Sequence, residues 1–361
     1  MFPSDEYTRR ITRLQKSMRR QKVQMALVYT PVNRLYFTGF ASTVGLLAIP
    51  QEGDALFFTD FRYGEMARKQ IDFARVLDSS KMYERLNRMI KKAGVEKVGY
   101  EGSISKERFD FYEQKLEGFD AFVNVEGEIR KLRAIKSRRE QQRIREAVRL
   151  GDQVFENTLL EIRPGMTEWD IRRILRGWID RLDAQGESFD CIVSIGANAS
   201  QPHAHVTKKV LRHGQLLLID MGIRLNDYCS DLTRTVFVGK PSAKMSEVYK
   251  VVLAAQKKAL KNLRAGKTGA EIDAIARDYI TDAGYDKKFG HGLGHGVGLE
   301  IHEAPTISSV NEEPLKPGMV VTIEPGIYLP GIGGVRIEDM AIVRKDGCEN
   351  LTTSPKELRS I

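Results

Sequence analysis

Four carboxylates stand inside or beside apolar runs that otherwise read as buried strands. Asp220 follows the run QLLLI, Asp231 lies in DYCSDLTRT, Glu324 in VVTIEPG and Glu338 in GVRIEDMAIV. One such residue has an ordinary explanation, a strand end or a satisfied hydrogen bond. Four constrain the fold as a set, because buried carboxylates repel one another and a shared site must either raise some of their pKa values or hold cations. Two divalent cations would neutralise them.

A second stretch, HGLGHGVGLEIHE at residues 291–303, holds three of the six histidines. His291 and His295 have the spacing that on a helix would hold zinc. Gly292, Gly294, Gly296 and Gly298 oppose a helix, since each costs roughly 1 kcal/mol against alanine in a helix interior. The segment is therefore expected to be extended or looped. An imidazole added to four carboxylates makes an oxygen-rich donor set that suits Mn²⁺ or Co²⁺, with Zn²⁺ also compatible, rather than a cysteine-rich structural zinc site. Two such ions about 3.5 to 4 Å apart could clamp and deprotonate a water between them.

The chain has 361 residues, enough for about two domains. No apolar run approaches the roughly 18 residues of a membrane span, so no membrane partner is expected. The N-terminal MFPSDEYTRR has no apolar signal region, and Cys191, Cys229 and Cys348 are scattered and odd in number, which predicts a cytoplasmic setting without disulfides. The net charge of +9 is densest over residues 130–146, RKLRAIKSRREQQRIRE. Ile144, Val148, Phe155 and Leu159 continue from it at helical spacing, so the run reads as a solvated helix face; without interleaved aromatics, nucleic acid is not expected as a partner.

Residues 1–126 alternate helical stripes (Tyr7, Ile11, Leu14, Met18; Met82, Leu86, Met89, Ile90) with the strand candidates VQMALVY, VGLLAIP and DALFFTD, predicting a smaller α/β domain. It contains no histidine. Residues 127–361 carry stripes through Ile171 to Leu182, Met245 to Leu263 and Ile272 to Tyr279. Among these lie the strand candidates FDCIVSIG, GQLLLIDMGIRL, RTVFVG, GMVVTIEPGIYL and GVRIEDMAIVRK. The expectation is an α+β layer with a curved antiparallel sheet.

The phrases IDMG, SDLTRT, GHGVGLEIHE, IEPGIY and VRIED, in this order, resemble the pita-bread metallopeptidase family, which includes methionine aminopeptidase, aminopeptidase P and prolidase. The resemblance implies a C-terminal pita-bread fold behind an N-terminal domain of the creatinase/prolidase kind, and favours the proline-specific branch. It implies two metal ions, held by Asp220, Asp231, His295, Glu324 and Glu338, with Asp231 and Glu338 bridging. A hydroxide between the ions would attack the scissile carbonyl, with Glu324 as proton acceptor. His203, in SQPHAH, would face the substrate, His302 would stabilise the carbonyl as it becomes tetrahedral, and Arg336 would orient a carboxylate or substrate oxygen. His291 would give a supporting hydrogen bond. His205 would point away from the substrate side, His213 reads as a turn residue and Cys229 as a packed thiol. The implied substrates are peptides with proline in second position, and the implied assembly is a homodimer. Some prolidases carry an arginine where this chain has Thr306 or Gly292, so dipeptidase and aminopeptidase activities both stay open, with a lean toward longer peptides. A non-catalytic peptide- or protein-binding member of the fold is the alternative; such relatives lack part of the ligand set, which is complete here.

Overall fold

Tyr7, Ile11, Leu14 and Met18 fall on one buried face of the helix Ser4–Gln21, as their spacing requires. The computed structural model describes residues 2–361, and the chain divides into two compact units between Arg133 and Ala134. The first unit is built on a six-stranded mixed sheet. Its strand Met25–Val28 is buried at every position, which is why MALV is uninterruptedly apolar. That strand runs parallel to Lys97–Tyr100 and antiparallel to Leu46–Pro50. Beyond the carboxyl ends of the two parallel strands, where open sheets commonly receive ligands, the fully buried Glu101 fills the place itself. It accepts bonds from the N–H groups of Tyr29 and Thr30, from Thr30 Oγ1 and from Asn33 Nδ2. The expected boundary after residue 126 falls at the start of the helix Glu126–Ala134, and the units divide near its end. Ile129 on that helix is buried, Leu132 accepts from Tyr36 Oη and Arg133 donates to Asn33, which ties the helix to the first unit.

The second unit uses one plan twice. Helices Arg138–Glu161 and Glu168–Arg181 pack as a pair, followed by the strands Ile192–Ile195, Leu216–Met221 and Leu232–Phe237 in one antiparallel sheet. Helices Ala243–Asn262 and Gly269–Ile280 form the second pair, followed by a five-stranded sheet that includes Gly294–Gly296, Val320–Ile323 and Asp339–Val343. Capping boxes open the second helix of each pair, Thr167 with Asp170 and Thr268 with Glu271. Each pair covers its own sheet: Phe155, Leu159, Ile171 and Leu175 pack in a core with Val193, Leu217 and Ile219, while Val252, Ala259, Ile272 and Ala276 do so with Val321, Ile323 and Ala341.

Three runs that read as single strands are each broken near an acidic residue. The breaks separate Leu216–Met221 from Ile223–Leu225, Val320–Ile323 from Gly326–Leu329, and Gly333–Arg336 from Asp339–Val343. Pro325 cannot donate to a ladder, and after Gly222 the chain leaves one sheet to pair with Gly186–Glu187 in another. Glu338 sends its N–H to Thr233 O at 3.1 Å rather than to its former partner strand. The carboxylates thus stand where the chain changes sheets.

The basic run crosses from the helix Glu126–Ala134 to the helix Arg138–Glu161 through the non-helical residues 135–137, and on the second helix Ile144, Ala147 and Val148 face inward. Arg133 and Lys136 depart from the expectation that its charges face water: both are buried, and Lys136 Nζ lies 2.7 Å from Glu303 Oε1. Among the described residues no helix is long and apolar enough to cross a membrane.

Candidate metal centre and active site

His295 lies in the short strand Gly294–Gly296, so the glycine-rich stretch is extended at this point. A Cβ at Gly294 would stand 2.1 Å from Thr322 O, and one at Gly296 would stand 2.3 Å from Ala304 O. Only glycine permits this close packing of strands around the imidazole. The backbone N–H of His295 donates to Thr322 Oγ1 (3.0 Å), and its Nδ1 lies 3.1 Å from Gly296 O. That bond puts the ring proton on Nδ1 and leaves Nε2 as a lone-pair donor. Nε2 stands 3.5 Å from Asp231 Oδ2 and 3.4 Å from Glu324 Oε1.

Asp231, His295 and Glu338 place one ligand atom each within 4.8 Å of one another. Thr233, opposite Asp220 in the ladder, donates Oγ1 to Glu338 Oε2 at 2.7 Å. Burial pushes the carboxyl pKa of Asp231 well above its ordinary value, and Glu338, Asp220 and Glu324 add to the rise. Glu338 is pushed well up by burial and by Glu324 and Asp220, and Asp220 is raised by burial against the pull of Arg336. Glu324 differs: burial raises it, but His295, His291 and Arg336 together hold it below the usual carboxylate range. Asp220 Oδ1 and Glu338 Oε1 are buried without a hydrogen-bond partner. Hard, repelling oxygen donors with unused lone pairs, beside one imidazole nitrogen, fit divalent cations.

Arg336 organises one wall. Its Nη2 donates to Asp220 Oδ2 (2.5 Å), Nε to Thr233 Oγ1 (3.2 Å), and Nη1 to Tyr328 Oη (2.9 Å) and Pro202 O (3.3 Å). Tyr328 Oη lies 2.8 Å from His291 Nε2, and His291 Nδ1 lies 2.8 Å from Gly292 O. With its proton on Nδ1, His291 accepts from Tyr328, which accepts from Arg336. Burial lowers the pKa of His291, in keeping with a neutral ring.

His302 is exposed, with its ring centroid 4.3 Å from that of His295 in an edge-on arrangement. Burial of part of the ring and then the neighbouring His295 lower its pKa. His203 is exposed on the turn next to Pro202. His205 is also exposed, His213 lies in a turn before the strand Leu216–Met221, and Cys229 is buried, its thiol pKa raised chiefly by burial.

Several residues that matter to this geometry have no local signature. Tyr328 reads as a strand aromatic and Thr233 as an ordinary strand threonine. Asp273 and Arg277 form a bidentate pair (2.7 and 2.9 Å); Asp273 Oδ1 accepts from Leu293 N–H (3.0 Å), while Arg277 donates to Phe289 O and His291 O (2.8 Å each). The pair staples the segment entering the histidine stretch. Arg277→Met is expected to lower stability by about 2 kcal/mol, because two backbone carbonyls and the buried Asp273 lose their donor. Urea denaturation checks this, and a loss under about 0.5 kcal/mol would contradict the staple.

Residues 142–345 match the model of metallopeptidase family M24, and residues 10–135 that of the creatinase/prolidase N-terminal domain. An Xaa-Pro dipeptidase of Pyrococcus furiosus is 36% identical over 97% of this chain and 99% of its own length. Among solved structures, an Xaa-Pro dipeptidase from Bacillus anthracis superposes with a TM-score of 0.94 at 38% identity, covering 98% of this chain and 100% of the other. An X-Pro aminopeptidase from Thermotoga maritima superposes with a TM-score of 0.88 at 34% identity, covering 96% and 100%. Three of the four acidic positions gather round one imidazole in a unit that the family's model matches over most of its length, and the matching N-terminal domain precedes it in sequence: the chain belongs to metallopeptidase family M24.

Proposed function

We propose that this protein is an exopeptidase that hydrolyses the Xaa-Pro bond at the N-terminus of peptides. The observation that carries the reading is the grouping of Asp231, Glu324 and Glu338 around His295, with Asp220 joined to the group through Arg336 and with the exposed His302 ring against that of His295. The names of the similar proteins, dipeptidase and aminopeptidase alike, support the proline specificity.

In this reading Asp220, Asp231, His295, Glu324 and Glu338 hold two divalent ions, Mn²⁺ first among the candidates. Such ions supply an acidified water as nucleophile and polarise the scissile carbonyl. Glu324, whose carboxyl is held on the ionised side, accepts the proton of the attacking water and delivers it to the departing proline nitrogen. The departing nitrogen has to gain a proton as the C–N bond breaks, and the proton that Glu324 takes from the water supplies it. His302, neutral at physiological pH, donates an N–H to the carbonyl oxygen as it gains charge. His203 contacts the substrate backbone. Arg336 has its guanidinium engaged by Asp220, Tyr328, Thr233 and Pro202, so its role is to aim Asp220 and the His203 turn. Three free cysteines support residence in the reducing cytoplasm. A homodimer completes the reading, and sedimentation tests it.

Hydrolysis of Ala-Pro and Ala-Pro-Ala, side by side, with Mn²⁺, Co²⁺ or Zn²⁺ restored after chelation, tests the activity. Because Thr306 and Gly292 provide no cation for a product carboxylate, we expect cleavage of the tripeptide at the Ala-Pro bond. Cleavage of the dipeptide alone would make the protein a prolidase with its cation elsewhere. Failure on both would overturn the peptidase reading in favour of a binding role.

A further inference from the structure

We infer that Glu168 is a positioning residue for substrate binding: its carboxylate latches both limbs of the loop that carries His203. The inference rests on the peptidase reading above. Glu168 is the first residue of the helix Glu168–Arg181 and is fully buried. Among the described residues it makes no ion pair, and four hydrogen-bond donors meet its carboxylate. Oε1 accepts from Ile195 N–H (2.8 Å) and Asn198 Nδ2 (2.9 Å); Oε2 accepts from Thr207 N–H (2.7 Å) and Thr207 Oγ1 (2.6 Å). One oxygen therefore holds the limb entering the loop and the other the limb leaving it, with the exposed His203 between them.

Further bonds close the same ring. The N–H of Glu168 donates to Lys209 O (3.1 Å), Asn198 Nδ2 reaches Thr207 Oγ1 (3.3 Å), and Lys209 Nζ reaches Asn198 Oδ1 (3.3 Å). Arg336 grips the tip through Pro202 O. Residues 201–209 form no helix or strand, so the placement of His203 depends on these few bonds. A buried carboxylate without a cation is a costly way to fill space. Its four donors and the positive end of the helix offset that cost, and the donors all come from the loop that Glu168 organises.

Glu168→Gln keeps the shape but has a single acceptor oxygen; its amide nitrogen must then face the donors of one limb, which comes free. Three measurements on the metal-loaded variant test the latch. Trypsin cleavage after Lys208 or Lys209 should accelerate about tenfold, since cleavage follows the population of the open loop. On an Xaa-Pro substrate, kcat/KM should fall about tenfold, mainly through KM, as expected when a substrate-positioning group is displaced. In a His203→Ala background, Glu168→Gln should change kcat/KM by less than about twofold, because the two residues act as one unit. Should Glu168→Gln fail to fold, Thr207→Val at an exposed position removes a single donor and should speed the trypsin cut and lower kcat/KM about threefold each, with the loss of kcat/KM again absent in the His203→Ala background. An unchanged trypsin rate would overturn the latch, and so would losses that simply multiply in the double variant. If the parent cleaves no Xaa-Pro peptide, the peptidase reading fails, while the trypsin comparison still decides whether Glu168 holds the loop.

Discussion

Glu338→Gln is expected to reduce turnover by at least about 10³-fold while leaving the metal-free protein as stable as its parent, or more so. The side chain is 1% exposed; one oxygen is bonded to Thr233 and the other has no partner. Burial, Glu324 and Asp220 all disfavour its charge, so in the absence of cations the parent keeps repelling groups together. Glutamine preserves the volume and removes one of those charges, but makes a poor ligand. Chelation should therefore lower the melting temperature of the parent clearly and that of the variant little, since ions that bind only the folded state stabilise it by mass action. Asp231→Asn should behave in the same way, for the same reasons. Activity within about tenfold of the parent, or an equal chelator shift in both proteins, would remove these residues from the ligand set.

Arg234→Met should destabilise the protein by about 3 to 5 kcal/mol, as the loss of one partner of a buried ion pair does. Arg234 donates to Asp339 Oδ1 (2.7 Å) and to the carbonyls of Thr233 (3.0 Å), Glu338, Ser354 (2.7 Å) and Pro355 (3.1 Å). Asp339 is fully buried and also accepts from Gln256 (2.9 Å), Asn350 (3.2 Å) and Lys356. Burial alone would raise the Asp339 pKa, but Arg234 and Lys356 hold it below its ordinary value. A depressed carboxyl contributes stability that is fully present above its unfolded value of about 4 and is lost as pH falls through the folded value. The substitution therefore also moves acid unfolding to higher pH. Denaturant titrations at neutral and acid pH read both effects. A loss below about 1 kcal/mol at neutral pH would mean that the network adds little beyond packing.

The sequence revealed what depends on neighbours along the chain. Apolar stripes gave the helices Glu168–Arg181, Ala243–Asn262 and Gly269–Ile280, and the carboxylates stood out because a strand interior rejects them. The breaks near Asp220, Glu324 and Glu338 were hidden, because an apolar run reads the same whether it continues in one sheet or crosses to another. The buried and half-buried charges outside the proposed ligand set were hidden for a related reason. Glu168 looks like an acid in a first helical turn, Lys136 like one more cation in a basic run, and Arg277 like a solvated helix residue. Their partners, Thr207, Glu303 and His291 O, lie far enough along the chain that only the folded structure joins them.

The doubled plan of the second unit puts Asp220 near the end of one long strand and Glu324 just past the end of its counterpart, with Asp231 and Glu338 just before the two returning strands. If the proposed ligands hold metal, neither half carries a full donor set: one brings two aspartates, the other a histidine and two glutamates. An ion held between them would act as a rivet, and its grip would measure how well the two plates are aligned. Wear anywhere along their seam would then be felt first as loosened metal, before either half has lost its own shape.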